Sequence, residues 1–592
     1  MDGIENSLYK TLIFGKFVQL SALSVGGSNF TSDADDPCFR DGKNRLTIPG
    51  TTLAGALVET LMRLYPKFGK TNELGETQGN FISSKNREGM NQKKWGIREN
   101  EELLKSAISF RNMHLPNGQQ TEWRQGVGIR QATGGTAKNK RALFDLEVVP
   151  SGAKWDFFLE IDTNKKYGPE AESFVIMALD DWRKGRIFLG RNPARGTGWV
   201  NVEEIKMLRL PSAENIIKTW PDNSRSESEI LEDLKGKGAK ETNFSDKSAQ
   251  EKMVLEADHC LRAKGWTRNS WCYLTLDVGL EIGFKQNEYG LNPLQVGGHA
   301  ALDMISEIPN LLSPPSFFGS SEVEERKWDE NPDLDKPFTL SRLDSKKKLM
   351  PIVPGSSIRG AFRHTTSRFE RMKNKRDGTL QFDSTKDADR CKSWGVVDPN
   401  VKSDFLEKAV QSCFENMPEE KRPKIIRERD LRENCENIEF DRVVQTFGFE
   451  KLTSRILFCD AGTSEESSFL MVKQEQHAED EFTCGVYGSG KFNSNILIKG
   501  KMNFQILVEA PNFDELKETI SLITPSFELA ELGFLPIGGG KLKGCGWLPW
   551  KFDKIHLEKE NGRELICPEN EKKENISLRL KKIISTMPPK GA

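Results

Sequence analysis

The sequence has little of what most enzyme classes require. It carries only 6 histidines among 592 residues, and none stands in a nucleophile–base arrangement that sequence supports, so no catalytic triad is read here. The 10 cysteines are scattered without a CxxC pair, which argues against a disulfide framework and for a reducing, cytoplasmic setting. No apolar run of roughly 18 residues occurs and no charged-then-apolar leader opens the chain, so neither a membrane span nor a secretory signal is expected. An excess of one charge is missing too. Lys and Arg number 86 against 87 Asp and Glu, which excludes a protein coated in basic surface. It does not exclude nucleic acid, because affinity follows local clusters rather than the sum. Such clusters occur at Lys138–Arg141, Arg183–Arg195, Lys346–Lys348 and Arg359–Arg376. Solvated charged faces give similar runs; what sets these apart is that several lie inside a repeat.

The repeat is an ordered motif set that occurs twice. Val25-Gly26-Gly27, Asp35-Asp36-Pro37 and Ile48-Pro49-Gly50-Thr51-Thr52-Leu53 are followed far downstream by Val296-Gly297-Gly298, Asp335-Lys336-Pro337 and Val353-Pro354-Gly355-Ser356-Ser357-Ile358. Each half closes on a glycine loop ending in tryptophan, Gly190 to Trp199 and Gly538 to Trp547. Four ordered pairs mark a duplicated domain. The chain is also too long for one core. Module one is read as 1–208, a polar linker or insertion as 209–268, and module two as 269–592 with insertions at 299–334 and 372–440.

Within each module the periodicities predict strand, helix, strands, helix, strand. In module one, Leu53, Ala56, Leu57, Thr60, Leu61 and Leu64 recur at helical spacing, with Thr51 or Thr52 as the expected cap. The matching helix in module two is expected over 357–371, and further helices over 171–184 and 514–524. This order suggests an α+β fold of two ferredoxin-like (βαββαβ, RRM-like) cores elaborated by insertions.

The motifs carry a chemistry suited to phosphates. Pro-Gly-Thr/Ser-Thr/Ser before an amphipathic helix combines a close backbone approach with exposed amides at a helix N-terminus, a ready anion site; a capped core helix is the plain alternative. Thr51, Thr52, Ser356 and Ser357 are the hydroxyls concerned. Arg359 and Arg363 follow in module two, where module one has Ala54 and Val58. Lys138, Arg141, Arg191, Arg195, Lys541 and Lys543 are the further cationic candidates. The glycine loops are not nucleotide-cofactor fingerprints. Neither opens a helix after a strand, and neither ends in Gly-Lys-Ser/Thr.

This order of Gly-Gly, Asp-x-Pro, Ile-Pro-Gly-Ser/Thr-Ser/Thr-Leu/Ile and a closing glycine loop resembles the RAMP superfamily of CRISPR systems, and within it the backbone subunits of type III effector complexes. Ser106 to Asn112 and Ser454 to Ala461 resemble a further family block. Gly128 to Lys138, including Thr133, and the segment around Phe482 and Thr483 resemble the protruding β-hairpin thumbs. Two modules in one chain look like the tandem subunit of a III-D-like complex. The resemblance implies guide RNA, single-stranded target RNA and other effector subunits as partners, with no membrane.

In nuclease-competent members the Asp of Asp-x-Pro is required for target RNA cleavage, which carries over to Asp35 and Asp335, with Asp33, Asp36 and Asp333 as local second choices. One carboxylate on such a loop can act as general base for a ribose 2′-OH or hold a divalent ion, taken as Mg²⁺. An Asp before Pro also simply starts a turn. Family members often bind structural zinc after the Ile-Pro-Gly helix. Here His364, Cys391, Cys413 and Cys435 fall in that interval but lack short ligand spacing, so unrelated side chains are the preferred reading. The main expectation is a guide-RNA-binding backbone subunit that cuts guide-paired target RNA. Its rivals are an inert RNA-binding scaffold and a guide-processing endoribonuclease, the last disfavoured by the scarcity of histidine.

Overall fold

Module one is organised by strand β1 (Lys10–Gln19), which carries Ile13 and Phe17 into the core. The computed structural model describes residues 10–27, 37–69, 106–116, 121–127, 143–162, 168–210, 232, 236, 240–244, 246–269, 271–283, 293–296, 311–312, 340–342, 349–376, 442–448, 453–463, 469–479, 486–541, 544–558, 564–566 and 574–585. After β1 come β2 (Thr47–Ile48), α1 (Gly50–Leu64), β3 (Ile108–Phe110), β4 (Met113–His114), the antiparallel pair β5 (Glu122–Val127) and β6 (Leu143–Val148), β7 (Lys154–Asp162), α2 (Gly168–Arg183) and β8 (Val200–Leu210). The main sheet is antiparallel where β1 meets β3's neighbour β7 and β8, in the order β3-β7-β1-β8. Leu53, Leu57 and Leu61 on α1 face Phe174 and Trp182 of α2 and Trp155 and Phe157 of β7 in one core. Each buried leucine contributes about 1.5–3 kcal/mol by removal from water.

The segment read as a polar linker divides on inspection. Residues 211–231 lie outside the described residues, but β9 (Lys240–Asn243) extends the module-one sheet beside β8, and α3 (Lys247–Ala263) joins its core. Met253, Ala257 and Leu261, one turn apart, are the buried stripe of α3. Asp246 caps the helix by accepting from Ser248 N at 2.9 Å, and Trp266 stands edge-on to Phe174 with ring centroids 5.0 Å apart. A stripe of three apolar residues is a thin signal in a charge-rich stretch, which is why composition alone reads as linker.

Module two follows the same plan. Its elements are β10 (Cys272–Ile282), β11 (Leu311–Leu312), β12 (Leu340–Arg342), β13 (Leu349–Val353), α4 (Gly355–Arg376), α5 (Arg442–Phe447), β14 (Ile456–Phe458), β15 (Ala461–Thr463), β16 (Leu470–Glu479), β17 (Val486–Ala510), α6 (Phe513–Glu531), β18 (Trp550–Glu558), β19 (Glu564–Ile566) and α7 (Ile576–Ser585). Its sheet contains β14-β17-β10-β18, the counterpart of β3-β7-β1-β8. Phe362 of α4 sits against Phe447, Phe458, Phe527 and Trp550 at the centre of its core.

The described parts are therefore mixed α+β with antiparallel sheets. Of the insertion at 299–334, only Leu311–Leu312 is described, pairing with β16. The insertion at 372–440 lies outside the described residues beyond the end of α4. No helix among the described residues is long and apolar enough to cross a membrane.

Candidate nucleic-acid interface

The glycine loops have the same backbone in both modules. Gly190 and Gly538 have φ of 77° and 75°, and Gly198 and Gly546 have φ of 81° and 82°. In each loop the indole N–H turns back on the loop: Trp199 Nε1 donates to Pro193 O, and Trp547 Nε1 to Lys541 O, both at 3.0 Å. The first glycine is needed for a contact inside the module, because a Cβ at Gly190 would overlap the Ser24 carbonyl and one at Gly538 the Gln295 carbonyl. Ser24 and Gln295 lie just before the Val-Gly pair of each motif. The bareness of these two glycines is thus used inside each module. Arg191 lies over Gly26 in the same way.

The helix starts also differ from expectation. α1 begins at Gly50 with Pro49 as its cap, and no side chain of the chain's Thr51–Thr52 pair caps it. Proline's fixed φ and missing N–H place it at the boundary, so the hydroxyls fall inside the first turn. The Gly50 N–H instead donates to Asn112 Oδ1 at 2.8 Å. In module two Gly355 N donates to Asp460 Oδ1, also at 2.8 Å. Ser356 and Ser357 stand in that first turn, Ser356 exposed. The two acceptors occupy the same place in the repeated block, but one is neutral and the other a carboxylate. A carboxylate at a helix N-terminus already satisfies the dipole, so α4 offers an incoming phosphate less than α1 does at this spot.

Charge is supplied next to it. Arg195 lies at the end of the module-one glycine loop, and Arg359 and Arg363 lie one turn apart on α4. Arg359 donates to the Phe447 carbonyl and lies 5.9 Å from its ring, while its Nε has no hydrogen-bond partner among the described residues. Burial and the like charges of Arg363 and Arg195 push its pKa down to about 9. No carboxylate among the described residues offsets this. A cation so placed is destabilised until an anion arrives. Lys541 is described and exposed at the start of the second loop's turn.

The junction that brings Arg195 to α4 is itself built from the repeat. Gly196, at φ of 100°, lies against Gly355, and a Cβ there would come within 2.8 Å of the Gly355 Cα. Arg124 on β5 reaches across to Asp460 at 2.6 Å. Trp199 packs with Tyr273, Leu457, Cys459 and Leu507 of module two. Beside them the Arg186 guanidinium lies 3.6 Å from the centre of the Tyr273 ring and ion-pairs with Glu558 and, at 3.0 Å, with Asp181. Arg63 pairs with Asp181 and, at 3.3 Å, with Glu509. Burial pushes the Asp181 carboxyl up, but Arg63 and Arg186 outweigh it and hold it below the ordinary value.

Asp33, Asp35, Asp36, Asp333, Asp335, Thr133, Lys138, Arg141, Phe482, Thr483 and Lys543 lie outside the described residues. So do Cys391, Cys413 and Cys435, while His364 is on the exposed side of α4. No group of three or more metal-ligating side chains forms among the described residues. The stems of the expected thumbs are described: β5–β6 in module one and β16–β17 in module two. Sequence reasoning did not single out Arg124, Asn112 or Asp460. The available signal was that Asn112 and Asp460 hold one position in the repeated block.

A family model for the RAMP superfamily matches residues 17–201 and 291–548. The two matched stretches carry the two copies of the motif set. No curated protein matches the chain.

Proposed function

We propose that this chain, which belongs to the RAMP superfamily, is the guide-RNA-binding tandem backbone subunit of a type III, III-D-like CRISPR ribonucleoprotein that cuts guide-paired target RNA. Proteins of this family are generally RNA-binding components of CRISPR systems. The observation that carries the RNA-binding reading is the convergence of Arg195, from the module-one glycine loop, with Arg359 and Arg363 on α4, three guanidinium groups drawn from both modules. A phosphodiester backbone matches this concentration of positive charge, and sequence recognition then belongs to guide–target pairing. The strand order β3-β7-β1-β8 with α1 and α2 between, repeated as β14-β17-β10-β18 with α4 and α6, supports the ferredoxin-like reading of each module.

Cleavage is assigned to Asp35 and Asp335, with the carboxylate acting as general base toward the target's 2′-OH, and with a divalent ion as charge stabiliser. The two loops would act on different phosphodiesters. The test is target cleavage by the assembled complex, comparing wild type with Asp35→Ala and Asp335→Ala. Each substitution is expected to remove one product, leaving ends with a cyclic phosphate and a 5′-hydroxyl, and chelator is expected to slow both cuts. A product ladder untouched by either substitution would leave the second reading, an inert scaffold, in place.

A further inference from the structure

Glu147 is a buried carboxylate that neither the arginine group nor the cleavage step uses. It stands next to the end of β6, at the base of the module-one hairpin, and is 3% exposed. Its oxygens accept from the Cys38 N–H at 2.7 Å, from Arg40 Nη1 and Nη2 at 3.1 and 2.5 Å, and from Thr121 Oγ1 at 2.6 Å. Burial pushes its pKa up, but the hydrogen bonds from Arg40, Thr121 and the Cys38 amide outweigh burial and hold it below the ordinary value. The Cys38 thiol donates in turn to the Glu147 carbonyl at 3.2 Å. The backbone of the same segment is laddered on both sides: Phe39 N donates to Val25 O at 2.7 Å, and Thr47 N to Phe39 O at 3.0 Å. The stretch that leaves the Asp35-Asp36-Pro37 motif is thus fixed to β6 by a charged pair as well as by its neighbours.

The second copy of the motif set does not carry this pair. The bridges Leu23–Val149 and Leu294–Leu497 put Asn495 at the position of Glu147. Counting from Asp-x-Pro puts Leu340 at the position of Arg40. The ladders agree, since Arg40 pairs with Leu46 and Leu340 with Pro351, each two residues before the Ile/Val-Pro-Gly motif. Both partners have changed together. That is the pattern of two residues that work as a unit, because either one left alone is a poorly compensated charge. The stretch from the aspartate to Pro-Gly is also longer in module two.

We propose that Glu147, acting through Arg40 and the Cys38 amide, is a positioning residue for the module-one cut, and that module two has no equivalent. This step rests on the reading of Asp35 as the module-one cleavage residue. Asp35 precedes Cys38 by three residues of sequence, a length of chain that spans at most about 10 Å. Anchoring Cys38 therefore limits where the Asp35 carboxylate can reach. A general base has to stay within hydrogen-bond distance of the 2′-OH, and a misplacement of about 1 Å costs on the order of 100-fold in rate. Arg124, on the other strand of the same hairpin stem, pairs with Asp460, so the stem that holds Cys38 is itself held by module two. The two centres share a motif but differ in how it is held.

The test is single-turnover target cleavage by the assembled complex, with the two products followed separately and target affinity measured alongside. Glu147→Gln is expected to slow the module-one cut about 10- to 100-fold. The module-two cut and the affinity for target should stay at their wild-type values. The double variant Arg40→Leu/Glu147→Asn installs module two's residues and leaves no unpaired buried charge. It is expected to unfold near the wild-type temperature while its module-one cut stays slow. If Glu147→Gln loses cooperative unfolding, the double variant decides alone. A double variant that recovers the rate together with the stability would make the pair merely structural and overturn the proposal. Loss of both cuts in parallel, or weakened target binding, would overturn it too. Asp35→Ala separates the two readings. If it removes the module-one product while the Glu147 variants cut at the wild-type rate, the positioning role alone falls. If it leaves that product in place, the cleavage assignment falls and the positioning role with it.

Discussion

Arg124 of module one and Asp460 of module two meet at 2.6 Å, and the same carboxylate accepts the first helical N–H of α4 at 2.8 Å. One side chain thus ties a hairpin stem, a helix start and the boundary between two duplicated modules. Asn112, its counterpart, performs only the helix part of that task.

That pairing separates two substitutions. Asp460→Asn keeps an acceptor for Gly355 and should cost about 1–3 kcal/mol, because a hydrogen bond to a charged group becomes a neutral one and Arg124 loses its ion partner. Asp460→Ala removes the acceptor as well and should cost about 3–5 kcal/mol, leaving a largely buried guanidinium unpaired. Denaturant unfolding of both variants measures the gap.

The buried ion network beside Tyr273 makes the junction acid-sensitive. Asp181 and Glu558 are both held below their ordinary values by neighbouring arginines, against the opposing push of burial. A depressed carboxyl binds protons more readily unfolded than folded, so its stabilisation is complete above the unfolded value and is lost as pH falls through the lower folded one. The ordinary values are 3.8 for Asp and 4.5 for Glu, so stability should be flat above pH ~5 and fall below it. Unfolding midpoints from pH 7 to pH 3 check this. Asp181→Asn should flatten the fall.

The two glycines that begin the Gly-x-Gly-Trp endings differ in what surrounds them. Gly196→Ala incurs a positive-φ cost and also strikes Gly355 and Asp460. Gly544→Ala incurs the φ cost alone, about 1–2 kcal/mol. Thermal unfolding should show Gly196→Ala as clearly the worse of the two, and limited proteolysis should then cut between the modules. Equal losses would mean the junction relaxes freely around the added methyl.

The arginine group should show opposite signs for folding and for RNA. Arg359→Met removes a destabilised, largely buried cation and should leave stability unchanged or raised. The same change should weaken single-stranded RNA binding and lower the log–log salt slope by ~0.7. Arg195→Gln and Arg363→Gln should each lower the slope similarly. A slope that stays fixed through all three would move the RNA elsewhere on the protein.

Much of the fold was readable because long apolar periodicities and a duplicated motif order reinforce each other. The helix carrying Leu53 to Leu64 is of this kind, and it appears as Gly50–Leu64. The cap of α1 was misread because local pattern favours Thr51 or Thr52, while the actual acceptor, Asn112, comes from a strand end far along the chain. Helix α3 was missed because its stripe is one small residue and two larger ones within a charged stretch. Arg195, Arg359 and Arg363 were visible as charge beside motifs. That they share one place depends on how the modules dock, and sequence spacing does not encode it. The aspartates proposed for cleavage stand outside the described residues, so their role rests on the motif alone.

Strand β17 runs without interruption from Val486 to Ala510. Its first part is one arm of the module-two hairpin, pairing with β16, and its second part is a central strand of the sheet beside β10. Leu507, near its end, is one of the residues that receive Trp199 at the junction. At about 3.3 Å per residue the strand is on the order of 80 Å along its path. The hairpin and the junction are therefore two ends of a single lever, with no turn between them to act as a hinge. Whatever pushes on the outer arm bears on the same backbone that grips the neighbouring module.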